Sequence, residues 1–203
     1  GRRGLWFGRA TKMGEVSSTT YGGASGLCGD PMEKTPLIHL LPGSAVFSFG
    51  TAGCNLTCKC CQNWDSSKAR EFDVLADAAT PAAIAQTAKE LNCKSVAFTY
   101  NDPVVFLEYA VDTAIECHKL GIKTVAVTAG YIAPEPRKEF FAPMDAANVD
   151  LKCFPEDFYQ RLCTGHLADV LDTPGSLEPA TGVWLESPTW LSPGEHAGHK
   201  ALA

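Results

Sequence analysis

Short β-prone runs alternate with helical stretches along most of the chain. Ala45-Val46-Phe47-Ser48-Phe49, closed by Gly50, has the length and composition of a strand. A loop from Gly50 to about Ser67 follows. Thr80-Pro81 pairs a helix N-cap with a proline at the first helical position, which predicts a helix to about Leu91. Lys94 to Thr99 reads as the next strand. Pro103 then opens a helix that ends at Gly121, with Val104, Leu107, Val111, Ala114 and Ile115 spaced as one apolar face. Ile122 to Val127 reads as a third strand, Ala147 to Leu151 as a fourth and Val183 to Glu186 as a fifth. A short helix is expected after Pro134 and Pro136, and another over residues 155–163. Residues 1–36 hold many Gly, Ser and Thr with little apolar periodicity, so a loose or extended lead-in is expected there. The organised core is expected over residues 37–195 and a tail over 196–203. From Pro174 onward Pro and Gly recur, which argues against a regular helix around Pro174-Gly175.

Regular alternation of strand and helix means parallel strands joined by right-handed crossovers, so the fold class is α/β. Pattern alone leaves an open doubly wound sheet and a complete or partial barrel as choices. Five or six strands are too few for a full eightfold barrel.

Composition narrows the function classes. A chain of 203 residues, 45% hydrophobic and 20% charged, suits one sizeable core. The net charge of −6 gives no basic footprint, so neither nucleic acid nor anionic lipid is expected as a partner. The longest apolar stretch, Leu37 to Phe49, is cut by His39, Pro42, Gly43 and two serines and is too short to span a bilayer. Nine cysteines are the anomaly: the number is odd and four fall within eight residues. No signal-peptide pattern precedes them, which favours a metal or redox site in a reducing, cytoplasmic compartment over a secreted disulfide scaffold. The chain opens with Gly1-Arg2-Arg3, without Met, so a fragment of a longer protein is expected.

Cys54-Asn55-Leu56-Thr57-Cys58-Lys59-Cys60-Cys61 contains the spacing C-x3-C-x2-C through Cys54, Cys58 and Cys61. Three thiolates can hold an iron–sulfur cube by three of its four irons, leaving the fourth open to a non-protein ligand. Two plainer readings stand beside this one. The same positions share a helical face, as buried core cysteines would, and adding Cys60 gives the donors of a four-cysteine zinc site.

The loop Gly50-Thr51-Ala52-Gly53-Cys54-Asn55-Leu56-Thr57-Cys58-Lys59-Cys60-Cys61-Gln62-Asn63-Trp64-Asp65 resembles the cluster loop of radical S-adenosylmethionine (SAM) enzymes. In particular it is similar to the pyruvate formate-lyase-activating-enzyme-like branch called the AmmeMemoRadiSam-system radical SAM enzyme. The similarity covers roughly residues 30–195, including Asp30-Pro31-Met32-Glu33-Lys34-Thr35-Pro36-Leu37. The resemblance implies a partial parallel (β/α)6-type TIM-like barrel, here truncated, with its site at the C-terminal strand edge. It also implies a [4Fe–4S] cluster on Cys54, Cys58 and Cys61, with SAM on the unique iron. Reductive cleavage of SAM then yields methionine and a 5′-deoxyadenosyl radical that abstracts hydrogen. An electron donor such as flavodoxin or ferredoxin is implied as a partner; resemblance to glycyl-radical activases suggests a protein glycine as substrate, while the sequence itself leaves the substrate open.

The other strand ends can be read for a zwitterionic ligand that carries a ribose. Thr99-Tyr100-Asn101-Asp102-Pro103 is similar to the family's Tyr-Asn-Glu-Pro segment, which receives the SAM ammonium. Asp102 would then be the acceptor, with Asn101 in support; as an alternative, Asp102 caps the helix that Pro103 opens. Val127-Thr128-Ala129-Gly130-Tyr131 resembles the family's ribose-facing Val-Thr-Asn-Gly-Tyr, which assigns Thr128 to the ribose; a locally bonded Thr128 hydroxyl is the alternative. Val149-Asp150-Leu151-Lys152 matches the family's Val-Asp-Leu-Lys. Period-two alternation puts Asp150 and Lys152 on one face. By resemblance Lys152 takes the SAM carboxylate with Asp150 in support; a ligand-free Asp150–Lys152 pair is the alternative. Cys60 in place of an aromatic residue, Asp102 for Glu, Ala129 for Asn and Cys153 for Gly depart from the family pattern. They motivate a second expectation, a divergent or truncated copy acting as a non-catalytic metal-binding module. The remaining cysteines read as inert thiols, Trp64 and Trp184 as packing residues, and no histidine pair has ligand spacing.

Overall fold

The computed structural model describes residues 2–3, 9–12, 15–68, 77–177 and 182–188. Three short N-terminal strands, β1 (Arg2–Arg3), β2 (Arg9–Lys12) and β3 (Glu15–Ser18), pair antiparallel in a small sheet of their own. The main sheet has seven strands: β4 (Gly23–Pro31), β5 (Ala45–Gly50), β6 (Asp77–Ala78), β7 (Ser95–Phe98), β8 (Lys123–Thr128), β9 (Ala146–Val149) and β10 (Trp184–Glu186). Across it the order is β10-β9-β8-β7-β5-β4-β6, with β5, β7, β8, β9 and β10 mutually parallel. The parallel strands succeed one another in chain order without reversal. That is the order of an unclosed (β/α) barrel; a doubly wound sheet would reverse it at a switch point.

Helices alternate with these strands: α1 (Trp64–Lys68), α2 (Pro81–Glu90), α3 (Leu107–Lys119), α4 (Pro134–Phe141), α5 (Glu156–Phe158) and α6 (Leu167–Leu177). Thr80 caps α2 as expected, its hydroxyl accepting the Ala83 N–H at 3.2 Å ahead of Pro81. Period-two alternation divides the strand side chains between two cores. Phe47, Phe49, Val96, Phe98, Ala126 and Val149 pack against the helices, while Val46, Ala97, Val125 and Ala146 face the other way, under Met32 and Leu37. Phe49 anchors the helical side, with ring centroids 5.6 Å from Phe98, 6.2 Å from Phe106 and 5.5 Å from Tyr109. Full burial of a side chain of this size contributes roughly 1.5–3 kcal/mol.

Three expectations are corrected. The lead-in, expected to be loose or extended, contains the extended strand β4, which is paired into the main sheet and not separate from the core. Its Gly-Ala-Ser-Gly-Leu-Cys-Gly-Asp-Pro sequence shows no apolar period because backbone pairing with β5, broken by a register shift between Ser25 and Cys28, is what holds it. The sheet therefore begins before residue 37. On α3 the buried positions are Leu107, Tyr109, Ala110, Thr113, Ala114 and Cys117, and Ile115 is exposed. The 3-10 turn Pro103–Phe106 precedes α3 and advances by three residues per turn, which shifts the phase of the face read from Val104. Finally, α6 runs through Pro174. Tertiary hydrogen bonds tie the helix down beside the proline: Arg137 Nη1 donates to the Asp172 carbonyl at 2.9 Å, and the Thr173 hydroxyl donates to the Gly130 carbonyl at 2.6 Å. The expected tail over 196–203 lies outside the described residues. Among the described residues no helix is long and apolar enough to cross a membrane.

Candidate functional site

Register brings the strand ends level. Phe49 pairs with Phe98, Phe98 with Ala126, and Thr128 with Val149. The loops after β5, β7, β8 and β9 consequently leave the sheet along one edge, and they enclose a cavity of about 450 Å3. Cys54, Cys58, Cys60 and Cys61 are among the residues that line it. Asn101, Asp102, Thr128, Asp150 and Lys152 line it too, so every residue expected at the site reaches this cavity.

The cysteine loop is fixed from three directions. From β7, the Asn101 amide accepts the Thr51 N–H at 2.8 Å and donates to the Thr51 hydroxyl at 3.1 Å and the Gly53 carbonyl at 2.7 Å. Asn101 thus holds the approach to Cys54. Its close approach requires Gly50, where a Cβ would stand 2.4 Å from the Thr99 carbonyl oxygen and 2.6 Å from Asn101 Oδ1. From β8, the Tyr131 carbonyl accepts Asn55 Nδ2 at 2.7 Å. From the π-helical turn Tyr159–Cys163, the Cys163 carbonyl accepts the Thr57 N–H at 3.1 Å and the Leu162 carbonyl accepts the Lys59 N–H at 2.9 Å.

Asp102 is almost wholly buried and accepts three hydrogen bonds: Val104 N–H at 3.2 Å, the Thr128 hydroxyl at 2.8 Å and Ala129 N–H at 3.0 Å. It therefore caps the turn opened by Pro103 and also binds the loop after β8. Burial raises its pKa above the usual carboxylate range, against the pull of those donors. Thr128 is occupied within the loop, its oxygen also accepting Gly130 N–H at 3.0 Å. Lys152 pairs with Asp150 Oδ2, and the other carboxylate oxygen, Oδ1, is buried without a partner. Burial opposes the Lys152 charge, but the neighbouring Asp150 outweighs it and the lysine pKa is raised. Burial, followed by the Asp102 charge, pushes the Cys54 thiol up to about 11.

Two features escaped sequence reasoning. Cys163 is fully buried in the cluster that also holds Cys58, and the neighbouring Cys58 together with burial holds its thiol well above the ordinary thiol range. Trp64 and Trp184 are about half exposed, not packed inside; Trp64 lines a second, more open cavity of about 510 Å3 with Leu27, Cys28 and Tyr100. That cavity shares Gln62, Asn63 and Tyr100 with the first. No signal in the sequence pointed to either feature. The described histidines serve as ion-pair partners, His39 of Glu186, His118 of Asp145 and His166 of Glu156.

A sequence model of the Radical SAM superfamily matches residues 49–173, which takes in the cysteine loop and all the strand ends that line the cavity. The chain belongs to the radical SAM superfamily. The match to the uncharacterized protein MJ0808 of Methanocaldococcus jannaschii is 35% identical over 193 residues, covering 95% of this chain and 57% of that protein. The chain thus spans little more than half the length of this curated relative. Among solved structures, Streptococcus suis SuiB aligns at a TM-score of 0.50 with 17% identity, over 70% of this chain and 32% of that one, a likeness of fold. QueE from Escherichia coli aligns at 0.45 with 10% identity, over 80% of this chain and 82% of that one. Radical SAM proteins generally bind a [4Fe–4S] cluster and SAM. The donor set suits both: the lining offers thiols and also Lys152 with Asp150, whose Oδ1 is buried and lacks a partner.

Proposed function

We propose that this chain is a radical SAM enzyme of the activating-enzyme-like type, with a [4Fe–4S] cluster held by Cys54, Cys58 and Cys61. The observation that carries the reading is the single cavity on which the cysteine loop, Asp102, Thr128, Asp150 and Lys152 converge at the C-terminal edge of the parallel strands. When bound, the reduced cluster and SAM supply a 5′-deoxyadenosyl radical for hydrogen abstraction. The protein's part is to position and to exclude water. Lys152 offers its ammonium to the SAM carboxylate, and the free oxygen of Asp150 offers an acceptor beside it. Asp102 presents a desolvated carboxylate to the SAM ammonium and orders the loop meant for the ribose through Thr128 and Ala129. Asn101 and Asn55 hold the cysteine loop against the two neighbouring loops.

A four-cysteine zinc centre fits this geometry less well. Among the described residues no three His, Cys, Asp or Glu side chains gather around one ion position, whereas a cube takes each thiolate on a separate iron. The adjoining cavity under Trp64 and Tyr100 offers an approach for substrate, and the activating-enzyme-like cysteine loop supports a protein glycine as hydrogen donor, with flavodoxin or ferredoxin as electron donor. The decisive experiment is anaerobic cluster reconstitution followed by incubation with SAM and dithionite. Production of 5′-deoxyadenosine above a Cys58→Ala control is expected; a loaded cluster that gives no product above that control overturns the proposal.

A further inference from the structure

Strand β9 ends at Val149, yet the backbone of the next three residues is held one N–H at a time. Asp150 N–H donates to the Thr128 carbonyl at 2.8 Å, Leu151 N–H to the Pro188 carbonyl at 3.2 Å, and Lys152 N–H to the Tyr159 hydroxyl at 3.0 Å. The first two bonds join backbone to backbone. The third is made by a side chain, so it depends on residue 159 being a tyrosine. Tyr159 is fully buried, in a cluster that holds Leu56 and Cys58 of the cysteine loop together with Leu151 and Cys153, the chain neighbours of Lys152. It opens the π-helical turn Tyr159–Cys163, a form that occurs disproportionately at functional sites. The Tyr159 carbonyl accepts the Gly165 N–H at 3.2 Å, and the Cys163 and Leu162 carbonyls of the same turn accept the Thr57 and Lys59 N–H groups of the cysteine loop. At Gly165 a Cβ would stand 2.9 Å from Leu56 Cδ2, so the segment lies against that loop.

One turn thus holds the cysteine loop through its carbonyls and the Lys152 backbone through the Tyr159 hydroxyl. The charged end of Lys152 is paired with Asp150 Oδ2, so the lysine is held at both ends. A long side chain binds a ligand precisely only when its own supports are fixed. A ligand that reaches the cysteines and Lys152 at once needs the spacing between them set in advance. We propose that Tyr159 is a positioning residue: its hydroxyl sets Lys152 relative to the cysteine loop, and so sets the preference of the site for a ligand that carries a carboxylate. This rests on the reading of Lys152 as the partner of the SAM carboxylate.

The test uses wild type and Tyr159→Phe, which keeps the ring and removes only the hydroxyl. Both are reconstituted anaerobically, iron and sulfide are counted per chain, and equilibrium dialysis measures binding of SAM and of decarboxylated SAM, which keeps the ammonium, sulfonium and nucleoside. Wild type is expected to prefer SAM by about tenfold or more, the scale of a charge-assisted contact. In Tyr159→Phe the iron content should be unchanged, SAM should bind about five- to tenfold more weakly, and the decarboxylated ligand should bind within about twofold of wild type. A preference for SAM that survives intact in Tyr159→Phe overturns the inference and leaves the reading of Lys152 standing. Parallel weakening of both ligands, or loss of iron, also overturns it, because Tyr159 would then only support the fold. Loaded wild type with no preference for SAM, or wild type that takes up no [4Fe–4S] cluster, overturns the underlying reading and the inference together.

Discussion

Asn101 Nδ2 donates to the Gly53 carbonyl at 2.7 Å, one residue before the first cysteine of the loop. With two further bonds to Thr51, this single amide ties the end of β7 to the exit of β5. Removing it leaves the Thr51 N–H and the Gly53 carbonyl buried without those partners. Asn101→Ala is expected to lower the unfolding free energy by about 2–4 kcal/mol in urea denaturation. It should also reduce iron bound per chain after reconstitution. Asn101→Asp keeps the acceptor for Thr51 N–H and should recover part of both; full retention of iron in Asn101→Ala would contradict a loop-holding role.

Asp102 offers one carboxylate to three donors and, in the proposed function, to the SAM ammonium. An amide in its place retains only one oxygen and turns an N–H toward groups that are themselves donors. Asp102→Asn is expected to weaken SAM binding to the reconstituted protein by roughly tenfold or more in equilibrium dialysis, the scale of a lost charge-assisted bond. Asp102→Glu, which restores the family's residue, should bind within a few-fold of wild type. Equal SAM affinity in Asp102→Asn and wild type would remove Asp102 from the ligand set.

Lys152 and Asp150 separate stability from binding. Neutralising the lysine leaves a largely buried carboxylate without its cation. Lys152→Gln is therefore expected to destabilise the fold by about 2–4 kcal/mol. The double substitution Asp150→Asn/Lys152→Gln should recover most of that loss in chemical denaturation. SAM affinity should stay low in both, because neither restores a cation for the ligand carboxylate. Recovery of affinity together with stability in the double variant would reduce the pair to a structural one.

The parallel strands were legible because each is a short run of apolar side chains bounded by turn residues. The site was legible because Asp102, Thr128 and Lys152 fall just where those runs stop. What stayed hidden depended on tertiary partners. β4 owes its place to backbone pairing with β5, which no Gly-Ser-Cys composition advertises. Ile115 was assigned to the wrong face because the chain turns as a 3-10 helix before α3 begins. Cys163 looks like any helical thiol until the π turn carries it into the buried cluster under the cysteine loop. Asn101, expected only as a supporting polar group, directs its whole amide at Thr51 and Gly53, and nothing local in Tyr100-Asn101-Asp102 indicates that direction.

At the opposite end of the sheet, Asp145 joins three parallel strands. Its carboxylate accepts Lys123 Nζ at 2.6 Å and the Thr124 N–H at 2.9 Å, and it bonds His118 Nε2 at 2.9 Å; its carbonyl accepts the Trp184 N–H at 3.0 Å. Burial alone would raise the Asp145 pKa, but the Lys123, His118 and Thr124 bonds outweigh it and hold the group below the usual carboxylate range. A depressed folded pKa stabilises the protein above the unfolded carboxylate value, and that stabilisation is lost as pH falls through the folded value. Asp145→Asn is thus expected to be less stable than wild type by about 1–3 kcal/mol at neutral pH. The gap should close as the pH falls through the folded Asp145 value, below the ordinary carboxylate range, where the wild-type side chain is itself protonated. Urea unfolding of both proteins across that range checks the sign: a gap that holds its size in acid would mean the geometry of Asp145, and not its charge, is what the strands require.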